Sequence, residues 1–173
     1  MPKNDFSIWM VEYAQVPAQV AEAVYSGYAH AGETVYMPFS FIVMRGHGKN
    51  ILIDCGIDFS SPVKQAMATG FGVECWTSPR EALARVGLTP EDIDVIIPTH
   101  AHWDHMGALR AFPNATVYLQ RGERDGWRRL FGSSDAYAAL LSAMDPDDIA
   151  VLDDLEQEGR LVLLDGGIRD LLP

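Results

Sequence analysis

Apolar positions crowd into three runs near the start of the chain, Phe6–Tyr13, Tyr36–Met44 and Asn50–Asp54. Runs of this length, part alternating and part continuous, predict β-strands. Gly46-His47-Gly48-Lys49 separates the second run from the third with the residues of a tight hairpin. The chain is therefore expected to open as a β-meander. Pro17–Tyr28, between the first two runs, suits a short helix or an irregular excursion, and Tyr25, Tyr28 and His30 gain no placement from the pattern.

Further along, helix and strand signals alternate. Ser61-Pro62 ahead of Val63, Ala66 and Met67 supplies an N-cap and a first-turn proline, and Ser78-Pro79-Arg80-Glu81 ahead of Leu83 and Val86 repeats the signal. Gly87 is placed to stop the second helix. Thr89-Pro90-Glu91-Asp92 leads into Ile93–Pro98, an apolar run of strand length. Thr116–Gln120 and Leu161–Leu164 predict two more strands, and Arg121–Leu130 and Ala136–Met144 two more helices. A β-rich start followed by alternating β and α, with no repeat and no low-complexity linker, predicts one α/β (α+β) domain over residues 1–173.

The composition narrows the partners. With 48% hydrophobic residues and a mean hydropathy near zero, 173 residues suffice for a real core. A formal charge of −11 argues against broad attraction to nucleic-acid phosphates or anionic membranes, so a small-molecule substrate is expected. No run reaches the roughly 20 apolar residues that span a bilayer, and Met-Pro-Lys-Asn-Asp-Phe at the start lacks the apolar core of a secretory signal, so a cytoplasmic location is expected. Cys55 and Cys75 form neither a C-x-x-C pair nor a disulfide framework and are expected to be buried thiols.

Chemistry concentrates in Thr99-His100-Ala101-His102-Trp103-Asp104-His105, which sets four potential metal ligands directly after a predicted buried strand. In extended backbone, side chains two apart point the same way, so His100 and His102 can meet one cation. Asp104 and His105 are adjacent and need a turn to converge on a second position. The helix-compatible Met106–Arg110 that follows puts Asp104 near a helix N-terminus, where a carboxylate is favoured. Imidazole nitrogen with carboxylate oxygen suits zinc, and also manganese or iron; the absence of clustered thiolates argues against a structural zinc knuckle or an iron–sulfur centre. His47, between glycines, reads as a surface residue. Asp54, at a strand end two residues before Gly56, reads as a turn former.

At this cluster the sequence resembles the metallo-β-lactamase superfamily, whose signature H-x-H-x-D-H is met by His100, His102, Asp104 and His105. The resemblance extends to Ile51-Leu52-Ile53-Asp54-Cys55-Gly56 and to Leu88–Asp94, and covers most of positions 36 to 173. It implies an αββα sandwich of which this chain supplies the N-terminal two-thirds. It also implies two divalent metal ions, the first held by His100 and His102 and the second by Asp104 and His105, with Asp54 orienting a ligand or the loop. Met37-Pro38-Phe39-Ser40-Phe41 and Trp103 are similar to the N-acyl-homoserine lactonase branch. That branch implies a metal-dependent hydrolase that opens a cyclic ester or amide with a metal-bound hydroxide, Asp104 moving a proton to the leaving atom. Phe39, Phe41 and Trp103, with Trp9 and Tyr36, are candidate walls of the substrate pocket.

The family pattern needs a further histidine, a bridging aspartate and a last histidine, and no histidine follows His105. Asp165 precedes the position of that histidine, so it does not fit the bridge. The remainder of the domain, a second chain or another copy in a homo-oligomer is expected to complete the site and to cover an apolar sheet face. Two other readings share the motif: a thioester hydrolase of the glyoxalase II type, and a non-catalytic scaffold fragment.

Overall fold

In the computed structural model, which describes residues 5–19, 32–133, 143–169 and 171, strand β1 (Ser7–Gln19) runs antiparallel to β2 (Thr34–Gly46), which turns back as β3 (Lys49–Ile53). The turn closes in two residues because His47 and Gly48 both take positive φ, 51° and 71°, as a type I′ hairpin requires. Strands β4 (Val95–Ile97), β5 (Thr116–Gln120) and β6 (Leu161–Leu164) continue the sheet in parallel, so its order is simply β1-β2-β3-β4-β5-β6. Parallel neighbours cannot be joined by a tight turn. Helices α1 (Pro62–Phe71) and α2 (Pro79–Ala84) make the first crossover, the single-turn α3 (Trp103–Met106) the second, and α4 (Arg121–Phe131) with α5 (Pro146–Gln157) the third.

Local chemistry explains where these helices begin. Ser61 accepts the Lys64 N–H at α1, Ser78 and Glu81 form a reciprocal capping box at α2, and Asp145 accepts the Asp147 N–H at α5, each followed by proline at the first helical position. The register then builds the core. Val43, Leu52, Ile96 and Val117 lie side by side across β2 to β5, and all four belong to the buried cluster that also takes in Leu83, Met106, Phe112, Trp127 and Leu152 from the helical side. Neighbouring rows point to the other face: Ile8, Met44, Ile51 and Val95 in one, Met10, Ile42, Ile53 and Ile97 in the next. Ile51 and Val95 are buried there without joining the helix-side core, whereas Ile8 and Met10 at the β1 edge are exposed.

Several expectations change. Pro17 and Ala18 continue β1 instead of opening a helix, held by pairing to Tyr36 and Val35. Tyr25, Tyr28, His30 and most of Ala136–Met144 lie outside the described residues. Helix α5 has no counterpart among the expected elements. The strand expected over Ile93–Pro98 is confined to Val95–Ile97, because Pro90–Asp92 forms a 3₁₀ turn and Asp94 is occupied with Lys49 and Asn50. Cys55 is buried as expected, but Cys75 is exposed, on a positive-φ turn with its sulfur accepting from Gln15. Among the described residues no helix is long and apolar enough to cross a membrane.

Candidate metal centre

Strand β4 delivers the chain to Pro98 at the sheet's C-terminal end, and the next residues turn away from it. His102 keeps extended backbone and caps α3, so that Asp104 lies in the first turn of that helix and His105 in its last. The three imidazoles gather: ring centroids of His100 and His102 are 4.3 Å apart, and those of His100 and His105 4.0 Å. Asp104 joins them, with Oδ2 3.4 Å from Nε2 of His105.

One turn of helix is too short to hold itself. The rest of the molecule holds it by its main chain: Cys55 N–H donates to the His105 carbonyl at 2.7 Å, Ala108 N–H to Gly56 at 3.0 Å, and Trp103 N–H to Ala143 at 3.0 Å. The Tyr13 hydroxyl donates to the Asp104 carbonyl at 2.6 Å, and Ala101 N–H, between the first two histidines, donates to Glu123 at 2.9 Å. Burial raises the Tyr13 hydroxyl far above its ordinary pKa, so it stays a donor. Gly56, at φ 78°, allows the close approach, since a Cβ there would stand 3.1 Å from the Tyr13 ring.

Asp54 is the hub beneath the cluster. Its backbone sits at φ 61°, a left-handed conformation that costs a non-glycine residue roughly 1–2 kcal/mol. The conformation is over-determined: Asp54 N–H donates to Ile97, and its carboxylate accepts from the Thr99 N–H at 2.7 Å and the Thr99 hydroxyl at 3.0 Å. The same carboxylate lies 2.8 Å from Nδ1 of His105. Asp54 is thus both the turn former read from the sequence and a partner of a cluster histidine.

Electrostatics follow from this packing. Burial disfavours charge on His105, but hydrogen bonds to Asp104 and Asp54 outweigh it and hold the imidazole up, at about 9. Burial likewise opposes ionisation of Asp104, and the His105 hydrogen bond overcomes it, so the carboxyl stands below its ordinary value. Burial, followed by repulsion from His105 and His102, lowers His100. In kind, three imidazoles and a carboxylate fit a divalent cation such as zinc. In arrangement and number they fall short: among the described residues no three such side chains are disposed to hold a metal ion as they stand. Donor atoms of Asp104 and His105 are engaged with each other, His105 also with Asp54, and His100 with Thr99, whose hydroxyl lies 3.1 Å from Nδ1 of His100.

The other candidates fall elsewhere. Phe41 and Trp103 are buried in the core, Phe41 stacked on Tyr13 and Trp103 packed between Phe39 and Phe71, so neither walls an open pocket. Phe39 is half-buried against Trp103, and Trp9 and Tyr36 are exposed on β1 and β2. The hollow beside the cluster, about 260 Å³, is lined by His100 and His102 and by Gly122, Glu123, Gly126, Trp127 and Leu130 of α4. Asp165 pairs with Arg121 at 3.0 Å. Tyr13, Glu123 and Trp127 went unread in the sequence because nothing local distinguishes them; each meets the cluster across a long stretch of chain.

The metallo-beta-lactamase superfamily model matches residues 36–170, which include the sheet from β2 onward and the whole histidine cluster. The chain belongs to this superfamily. Among its relatives is an N-acyl homoserine lactonase from a Bacillus species, 32% identical over 100 residues, a match covering 53% of this chain and 40% of that protein. The lactonase AttM of Agrobacterium fabrum is 40% identical over 43 residues, 25% of this chain and 16% of that protein. The chain therefore spans well under half of the superfamily relatives it matches in sequence. In structure it resembles a probable metal-dependent hydrolase from Staphylococcus aureus, with a TM-score of 0.67 at 20% identity, covering 99% of this chain and 63% of the other. It also resembles AidC, a dizinc quorum-quenching lactonase seen with its product, at a TM-score of 0.66 and 19% identity over 98% and 61% of the two chains. At such identities the likeness is one of fold.

Proposed function

We propose that this chain carries the metal-binding part of a metal-dependent hydrolase that opens a cyclic ester or amide, a lactone by preference, with zinc as the first-choice cation. The reading is supported above all by the gathering of His100, His102, Asp104 and His105 at the C-terminal end of β4 within the span matched by the superfamily. His100 and His102 would serve one cation, and Asp104 and His105 a second. Asp54, against Nδ1 of His105, would fix the ring so that Nε2 is the ligating atom. The chemistry supplied by two such cations, when bound, is an activated water at neutral pH and a polarised substrate carbonyl. The Asp104 carboxylate would pass a proton to the leaving oxygen or nitrogen. Trp127 and Leu130 offer an apolar wall beside the histidines for the substrate's acyl portion. The further ligands that two cation shells need would come from additional polypeptide or a second chain.

Metal analysis of the purified protein together with acid release from an N-acyl homoserine lactone tests this. With the further ligands supplied, near two equivalents of zinc, iron or manganese, with ring opening that stops on chelation and returns with added metal, is the expected result. A protein so completed that carries its metal and leaves lactones intact would overturn the substrate class, and one that takes up no metal would overturn the enzyme reading.

A further inference from the structure

A buried ammonium lies under the metal loop, and the chemistry of the site makes no use of it. Lys64, in the first turn of α1, is only 2% exposed. An ammonium has three protons to donate, and three acceptors surround this one: the Gly107 carbonyl at 2.6 Å, Asp148 Oδ1 at 2.7 Å and Asp58 Oδ1 at 3.4 Å. Gly107 is the residue on which α3 ends, so its carbonyl is one that the helix cannot satisfy internally. Asp148 lies in the first turn of α5 and is itself 2% exposed, while the α5 cap Asp145 takes the hydroxyl of the α1 cap Ser61. Two helices and the metal loop thus meet at one nitrogen.

Stability alone does not account for such an arrangement. A buried ion pair gains little over a well-packed apolar pair of similar volume, because desolvating both charges offsets their attraction. What an apolar pair cannot do is donate to Gly107. We infer that Lys64 is a positioning residue: its hydrogen bond to the Gly107 carbonyl, backed by Asp148 and Asp58, fixes the depth and tilt of Trp103–Met106 and so where Asp104 and His105 stand. The inference rests on the metal reading for its purpose, but the clamp exists or fails without any metal.

The test therefore reads both separately on the 173-residue chain. Amide hydrogen exchange without metal follows Cys55 and Ala108, whose N–H groups bond to the His105 carbonyl and to Gly56. Cobalt(II) titration, followed by its d–d absorption, reads the ligands. Lys64→Met is expected to lower Tm, speed exchange at Cys55 and Ala108 at least tenfold, and weaken cobalt binding at least tenfold. Lys64→Met/Asp148→Leu is expected to recover most of the Tm but neither the protection nor the cobalt affinity. Asp148→Asn leaves Lys64 within reach of Gly107 and should keep both exchange rates within about threefold of the parent; it decides the matter should the double variant not fold. Recovery of protection and cobalt affinity along with Tm in the double variant would overturn the clamp, as would an Asp148→Asn loop that opens as readily as the Lys64→Met loop. A parent that keeps this exchange pattern but binds no cobalt would leave the clamp standing and show that the four ligands hold no cation without the additional polypeptide; a chain so completed that still binds none would sink the metal reading.

Discussion

His105 is gripped from both sides, by Asp54 at Nδ1 and by Asp104 near Nε2, whereas His47 merely tops a hairpin with its ring against Phe6, centroids 5.0 Å apart. Replacing His105 or His102 by Ala is expected to cost metal and hydrolysis together, by at least the roughly 10–100-fold that even outer-shell partners of a metal ligand cost. Replacing His47 by Ala should change either by less than about twofold, and a calorimetric metal titration beside a turnover assay checks both. A His47 effect as large as that of His105 would mean the site lies elsewhere. The cluster could be read from the chain because its donors are dense in sequence. Asp54 could be read only through the family, since an Asp before Gly is ordinarily just a turn. Tyr13 and Lys64 reach the loop across 91 and 43 positions, and a single sequence carries no trace of such pairings.

Helices α1, α2 and α5 each begin with a capping side chain followed by proline, yet only the first two were legible. In α5 the stripe of Ile149, Val151, Leu152 and Leu155 is interrupted by Asp148, Asp153 and Asp154, which hide its period. Strands β5 and β6, uninterrupted by charge, match the expected Thr116–Gln120 and Leu161–Leu164. Burial has a further effect at α5, raising the Asp148 carboxyl to about 7 against the pull of Lys64 from α1 and with the push of Asp145 and Asp58. The folded value exceeds the ordinary 3.8, so the folded chain holds this proton more firmly than the unfolded one. Its contribution to stability is full below about pH 4 and is lost as pH rises to about 7. Asp148→Asn cannot titrate, so its Tm relative to the parent should climb through that window; a difference that stays flat with pH would refute the assignment.

At the scale of the whole molecule, the sheet has two apolar faces and the helices described here account for one. The other ends at an edge strand where Ile8 and Met10 are 62% and 74% exposed, an arrangement that invites pairing with another chain. Ile8→Lys/Met10→Lys is expected to raise several-fold the concentration at which the chain stays monomeric in light scattering, with little change in Tm; unchanged association would place the sticky surface elsewhere. The parallel half of the sheet carries a different consequence. Asp54 and His105, 51 positions apart, can meet only after β3 and β4 have paired over a long crossover. Closing such a loop costs entropy before any contact repays it. The metal loop is therefore among the last parts of the chain to order as it folds, and a nascent chain would present its histidines to the cell's metal pool while they are still apart.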